Sequence, residues 1–232
     1  MASLPEKTTT ISAKVVARLS LYRRLLASEA AGGARHIYSH QLATMAGVSA
    51  EQVRRDMMAV GYNGTPIRGY CIAELMNCID GLLDAAQGQN AAIVGFGHLG
   101  RAITVYSAGR WPKLSIVAAF DNDPAKVGQV INGCACYQDI DISRIVPERD
   151  IRVAIIAVPA LEAQKVADTL VEAGVKGILN FAPARLRVPP DVYVENMDVA
   201  VSLEKVAYFA RQGPARKVAA GARETGSEDA IQ

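Results

Sequence analysis

The sequence is poor in the residues that build metal sites, disulfide frameworks and acid–base catalysts: 232 residues hold 4 Cys, 3 His and 1 Trp, and aromatics make up only 6%. Cys71, Cys78, Cys134 and Cys136 are spaced x6 and x1 at their close approaches, not as paired CxxC knuckles, so neither a zinc site nor a disulfide scaffold is expected. Thiols in mixed apolar runs such as Cys134 and Cys136 read as small buried hydrophobes. Long apolar runs are also missing. The longest, Val153 to Leu161, is interrupted by Pro159 and falls far short of the roughly 20 residues of a membrane span. The first twenty residues carry Lys7, Lys14 and Arg18 without the apolar stretch of a secretory signal, so a cytoplasmic location is expected. No repeat of solenoid length is visible.

An excess of charge of one sign is lacking overall, with a net charge of +2, but not locally. Residues 1–70 hold nine Lys/Arg against four acids, a balance of +5, and the remaining 162 residues balance at −3. A basic N-terminal segment points to an acidic partner there, with nucleic acid the leading candidate. Half of the residues are hydrophobic and 21% charged, which supports a packed core of one or two domains.

In the basic segment, Ile11, Val15, Leu19, Tyr22 and Leu26 recur at helical spacing until Gly32-Gly33. Ser39 is expected to cap a short helix through Ala46, Gly47 turns the chain, and Ser49-x-x-Gln52 opens a third helix to about Val60 as a capping-box pattern. This is the order of a helix-turn-helix, and GYNGTPIRGY (61–70) has the turn residues of a small β-wing. A further helix is expected over Ile72–Gln87. On the third helix Ser49, Gln52 and Arg55 share an outward face while Val53, Met57 and Val60 point inward. Gln reads adenine and Arg guanine through paired hydrogen bonds, and either also holds phosphates. Arg54 and Arg55 alone would equally suit a solvated basic face.

From Ala91 short apolar runs alternate with helix-length segments, the rhythm of βαβ units and a parallel sheet. Strands are expected at Ala91–Gly95, Ser115–Asp121, Cys134–Tyr137, Val153–Val158, Gly177–Phe181 and Val192–Glu195, with helices at His98–Gly109, Ile140–Val146, Leu161–Ala173 and Ser202–Arg211. Gly95-Phe96-Gly97-His98-Leu99-Gly100 follows a strand and opens a helix, the context that a bare GxGxxG lacks. Gly95 permits the tight turn, Gly97 lets the backbone approach a pyrophosphate, and Gly100 lets helix pack on strand. Asp121, 26 residues after Gly95, ends the second strand, where a carboxylate accepts hydrogen bonds from ribose hydroxyls and repels a 2′-phosphate. NAD(H) is the expected ligand. Hydride transfer lacks a visible acid–base residue: the only His in this half is His98, inside the glycine loop, and no YxxxK pair is present.

The stretches ISAKVVARLSLYRRLL, SHQLATMAGVSAEQVRRDM, GFGHLGRA, VAAFDNDPAKVG, NFAPARLRVP and NMDVAVSLEKVAYF together resemble the Rex family of redox-sensing transcriptional repressors, from about Ile11 to Arg211. The resemblance implies an α/β protein: an N-terminal winged-helix domain (1–87), a Rossmann-like doubly wound parallel-sheet domain (88–200) and a swapped C-terminal dimerisation helix (201–211), while the Gly, Ala, Arg, Glu and Ser of 212–232 read as a disordered tail. It implies a homodimer that binds palindromic double-stranded operator DNA and releases it when NADH, as opposed to NAD⁺, is bound. The resemblance implies Gly95, Gly97 and Gly100 at the pyrophosphate, Asp121 at the adenosine ribose, and Pro159, Ala160 and Phe181 near the nicotinamide, with Phe96, His98, Leu99, Asn122, Lys126 and Val158 as further cofactor contacts. Arg18, Tyr106 and Asp198 match a network joining the first helix, the cofactor and the partner subunit. DNA contacts are implied at Arg18, Ser49, Gln52, Arg54, Arg55 and Arg68. The wing departs from the family pattern Gly-x-Arg-Gly-x-Gly-Tyr: Pro66 stands where Arg is expected and Ile67 where Gly is, with Arg68 two positions after the expected Arg. No catalytic or metal-binding residue is expected. Two alternatives are an NAD-dependent dehydrogenase with a helical accessory domain and a CoA- or nucleotide-binding scaffold without DNA.

Overall fold

A computed structural model of the chain describes residues 11–65, 67–111 and 113–211. The first helix, α1 (Ala13–Ala31), buries Leu19, Tyr22 and Leu26 at the helical repeat. Strand β1 (His36–Ile37) leads into α2 (Ser39–Ala46), which ends at Gly47 in the left-handed region, and α3 (Ala50–Ala59) follows after that turn. Ser49 caps α3, its hydroxyl accepting from the Gln52 N–H at 3.1 Å. The Gln52 side chain does not complete the expected capping box, because it is turned toward Asp56 instead. At α2 the expected Ser39 cap is also displaced: Tyr38 occupies the cap position, Gln41 Oε1 accepts from the Tyr38 N–H at 2.8 Å, and the Ser39 hydroxyl accepts from Arg54.

Beyond α3 the chain forms the wing, closed by a Thr65–Gly69 bridge. Strand β2 (Tyr70–Cys71) then pairs antiparallel with β1, and α4 (Ile72–Leu83) crosses back over α1. Helix α4 stops four residues before the expected Gln87, where Asp84 turns extended and, with Asp80, accepts from Arg23 of α1. Leu19, Tyr22, Leu26, Leu42, Val53, Met57, Ile72, Leu75 and Ile79 close one core beneath these helices.

The second domain runs β3 (Gln89–Val94), α5 (His98–Ser107), β4 (Leu114–Asp121), β5 (Val130–Ile131), β6 (Cys134–Gln138), a 3-10 turn at Asp139–Asp141, α6 (Ile142–Glu148), β7 (Ile151–Ile156), α7 (Ala160–Glu172), β8 (Gly177–Asn180), β9 (Tyr193–Asn196) and α8 (Val199–Ala210). The sheet order is β5-β6-β4-β3-β7-β8-β9, all parallel except the β5 edge. Alternate residues of each strand serve opposite faces: Ala92, Val94, Ala118, Phe120, Ala154 and Ile156 pack with α6 and α7, while Ile93, Ala119, Ile155, Cys134 and Cys136 pack with Phe96 and Ile103 on the other face. Burial pushes the Cys134 thiol up to about 11, as suits a packing residue.

Helix α8 buries no residue in the single chain, and Val199, Val201, Leu203, Val206, Tyr208 and Phe209 all lie exposed on it. The expected tail, 212–232, lies outside the described residues. No described helix is long and apolar enough to cross a membrane.

Candidate nucleotide cleft and DNA-reading face

Strand order reverses direction between β3 and β7, and ligands of doubly wound sheets sit at such a switch point, beyond the carboxyl ends of the strands. A cleft of about 310 Å³ opens there, lined by Gly95 and Gly97 after β3, Asp121 and Asn122 after β4, Lys126, and Ala157, Val158 and Pro159 after β7. Gly95 has φ +96°, and a Cβ there would collide with the Ala157 carbonyl of the neighbouring strand end. A Cβ on Gly100 would collide with the Gly95 carbonyl, so this glycine lets α5 sit directly against the turn. At Gly97 nothing lies within 4 Å of an added Cβ, leaving room for a ligand to approach the backbone at the N-terminus of α5.

Asp121 is 6% exposed and fixes the turn from the second strand. Its Oδ2 accepts from the Phe96 N–H at 2.7 Å and its Oδ1 from the Asp123 N–H at 2.9 Å. Lys126 Nζ lies 3.1 and 3.0 Å from the two oxygens. Burial works against ionisation, but the Asp123 N–H, the Lys126 ammonium and the Phe96 N–H outweigh it and hold the carboxyl below its usual range. The carboxylate and ammonium together place a hydrogen-bond acceptor and a donor at the edge of the cleft.

The structure sorts the other expected cofactor residues. Phe96 contributes only backbone at the turn, because its ring is fully buried in the core with Arg101 stacked over it at 5.4 Å. His98 and Leu99 are exposed on the first turn of α5. Pro159 caps α7 and Ala160 begins it, and Phe181 packs half-buried at the end of β8. Asp139 and Glu162 also line the cleft and were missed. Asp139 directly follows β6 and Asp121 ends β4, so the same strand-end rule finds both.

Among the described residues, no hydrogen bond or ion pair joins Tyr106, Asp198 and Arg18 to one another. Tyr106 is exposed on α5 with Arg110 4.2 Å over its ring. Asp198 caps α8, accepting from the Val201 N–H at 2.9 Å, beside a second hollow that includes Arg185 and Asn196. Arg18 is bound within its own domain: its Nε and one terminal nitrogen meet Asp56 at 2.6 and 2.7 Å.

On the DNA-reading face, Arg54, Arg55 and Arg68 are exposed. Arg55 meets Glu51 one turn earlier at 2.6 Å, and Arg54 donates to Ser39 at 3.1 Å. The wing presents Ile67, 86% exposed, whose carbonyl accepts from the Tyr38 hydroxyl at 2.9 Å. Pro66 lies outside the described residues. Sequence reasoning missed Asp56, which is 1% exposed on the inward stripe of α3 between Val53 and Met57. Its signal is a lone acid on that stripe facing an Arg on the stripe of α1.

A winged-helix module joined to a doubly wound domain with a dinucleotide-type cleft defines a ligand-responsive DNA-binding protein. Comparison with known proteins sharpens that class. Residues 10–57 match the family described as putative DNA-binding protein N-terminus, and residues 86–184 match the CoA binding domain family. A protein of Chloroflexus aggregans named redox-sensing transcriptional repressor Rex is 40% identical over 195 residues, covering 84% of this chain and 92% of the relative. A protein of the same name from Listeria welshimeri is 38% identical over 211 residues, covering 91% and 98%. Among solved structures, RSP in complex with β-NAD⁺ and operator DNA aligns with a TM-score of 0.81 at 32% identity, covering 88% of this chain and 94% of that one. RSP in complex with β-NADH aligns at 0.78 with the same identity, covering 88% and 96%. The chain belongs to the Rex family of redox-sensing transcriptional repressors.

Proposed function

We propose that this chain acts as a homodimeric repressor in the cytoplasm that binds palindromic operator DNA and leaves it when NADH occupies the cleft, so that it reports the NADH/NAD⁺ ratio. The observation that carries the reading is the pairing in one chain of an exposed arginine face on α3 and the wing with a glycine-turn cleft closed by Asp121 and Lys126. Relatives solved with β-NAD⁺ and operator DNA, and with β-NADH, support both halves of it. The match to a CoA binding family describes the fold of the cleft. CoA carries a phosphate on its adenosine ribose, which suits the Asp121 carboxylate less well than the free diol of NAD(H) does.

Helix α8 is the dimerisation element. Its apolar face is uncovered in the single chain, and exchange between two copies buries it while producing the two-fold symmetry that a palindrome requires. We assign Gly95, Gly97, Gly100, Asp121, Asn122, Lys126, Val158 and Pro159 to the cofactor, and Arg54, Arg55 and Arg68 to DNA. No residue is assigned a catalytic role, since His98 lies on the glycine turn with no partner acid or base beside it among the described hydrogen bonds.

NAD⁺ carries a ring charge that NADH lacks. Only a difference in affinity for the two dimer states shifts the DNA equilibrium, and that charge supplies the difference. Operator binding titrated with NADH at fixed NAD⁺ and fixed salt should weaken as NADH rises. Operator affinity that ignores NADH overturns the sensor reading, and steady NADH consumption with a carbonyl substrate establishes the dehydrogenase alternative in its place.

A further inference from the structure

The recognition helix carries a buried charge that phosphate binding does not require. Both oxygens of Asp56 are engaged: Oδ2 by Arg18 Nε at 2.6 Å and the Tyr22 hydroxyl at 3.0 Å, and Oδ1 by an Arg18 terminal nitrogen at 2.7 Å and Gln52 Nε2 at 2.9 Å. The first three donors come from α1 and anchor the carboxylate in the core. The fourth comes from a part-exposed residue one turn earlier on α3, at the edge of its buried stripe. An ion pair of this kind is weak evidence for stability compared with an apolar packing of the same volume, so its distinctive contribution is geometric.

An ionised carboxylate only accepts hydrogen bonds, whereas a carboxamide has one end that donates and one that accepts. The Gln52 side chain can therefore meet Asp56 only through Nε2, and its two ends are not interchangeable. That leaves Oε1 and the second N–H of Nε2 for a ligand. An adjacent acceptor and donor in one plane match the N6–H and N7 edge that adenine presents in the major groove. An untethered glutamine would reach the same pairing only by giving up its rotamer freedom on binding.

The geometry points to Asp56 as a positioning residue for base readout: anchored by Arg18 and Tyr22, it holds the Gln52 carboxamide in the one orientation that reads an adenine in each operator half-site. The inference rests on the proposed DNA-reading role of α3 and adds to it the residue that sets which base is read.

The test is a competition assay with the full-length protein at fixed salt, in which each operator half-site position is replaced in turn by the other three bases. The unaltered protein should prefer A at one position by about tenfold or more. Gln52→Ala should flatten that position alone. Asp56→Asn supplies a side-chain N–H that meets Oε1 and turns the carboxamide over, so the preference there should fall below about threefold or pass to another base, with the other positions and the salt dependence of affinity unchanged. Tyr22→Phe removes a donor from the same carboxylate but does not touch Gln52, and should leave the preference intact.

If Gln52→Ala alters one position and Asp56→Asn alters none, the tether is overturned while α3 still reads DNA. If Gln52→Ala alters none, the base contact itself is overturned. Neither result bears on whether NADH releases the operator. Should Asp56→Asn fail to fold, the unaltered protein decides the question by NMR with ¹⁵N-glutamine. The Gln52 side-chain signal, assigned by its loss in Gln52→Ala, should exchange with solvent more slowly and move less than that of surface Gln87, and equal mobility overturns the tether.

Discussion

Two aspartates, one in each domain, are buried to nearly the same extent and held ionised by nearby donors, yet only one of them borders an open cleft. Asp56 is surrounded by side chains of its own domain, and its four contacts leave no open side. Asp121 takes two backbone N–H groups from its own loops and one ammonium, from a Lys126 that is 26% exposed, and it borders a cleft. A buried charge is therefore a poor marker of a binding site by itself. The useful marker is open space beside the charge: Asp121 and Lys126 both line the cleft, whereas Asp56 is enclosed by its four donors.

The largest effect should come from breaking the closed member of the pair. Asp56→Ala leaves the buried Tyr22 hydroxyl without its acceptor and strips the part-exposed Arg18 guanidinium of its carboxylate, and loss of charge-assisted hydrogen bonds of this kind costs about 1.5–3 kcal/mol. Urea or thermal unfolding should show that loss in the winged-helix domain, and an unchanged midpoint would erase the distinction between the two aspartates. The acid limb carries the same information. Burial disfavours the Asp56 carboxylate, but Arg18, Gln52 and Tyr22 outweigh it and hold the carboxyl below its usual range. Its contribution to stability is thus complete above the unfolded value of about 3.9 and is lost as pH falls through the lower folded value. Asp56→Ala should remove that part of the acid dependence.

Asp121→Asn tests the open member. The hydrogen bonds proposed between it and a ribose diol are charge-assisted, each worth about 1.5–3 kcal/mol, so NADH affinity should fall by about tenfold or more. Operator affinity without cofactor should stay level. With the carboxylate gone, Lys126 is released to meet a phosphate, so the preference for NADH over NADPH should narrow. A calorimetric titration with each cofactor reads both effects, and unchanged selectivity would show that Lys126 does not face the ribose.

Most of the architecture was legible because it rests on periodicity and punctuation. Leu19, Tyr22 and Leu26 marked α1, and alternating apolar runs with Gly95, Gly97 and Gly100 marked the sheet and its turn. Two-residue strands such as β1 and β5 have no period to read, and they form only because a partner lies alongside. Side-chain choices were hidden for a related reason. Local spacing leads Gln52 to cap α3 or face DNA, and the family resemblance places Arg18 in a network and at DNA, but neither reveals Asp56, which lies 38 residues from Arg18 and bonds to both. Tyr106 and Asp198 share no bond within the chain, and the network proposed for them would need a partner subunit that no single-chain pattern can reveal.

The smallest effect belongs to the exposed face, where a charge pair resembles Asp56 with Arg18 in chemistry but not in surroundings. Glu51 and Arg55 meet at 2.6 Å with side chains 71% and 66% exposed. An exposed i,i+4 pair contributes only about 0.2–0.5 kcal/mol, so Arg55 can leave Glu51 for a phosphate or a base at little cost. Glu51→Gln removes that competition and takes a negative charge away from the DNA-reading face. Stability should hold within about 0.5 kcal/mol, and operator affinity should rise about twofold at low salt, with the gain shrinking as salt screens it. A fall in operator affinity would instead show that Glu51 contacts the DNA itself, accepting from a base, and that Arg55 is held where it is needed before DNA arrives.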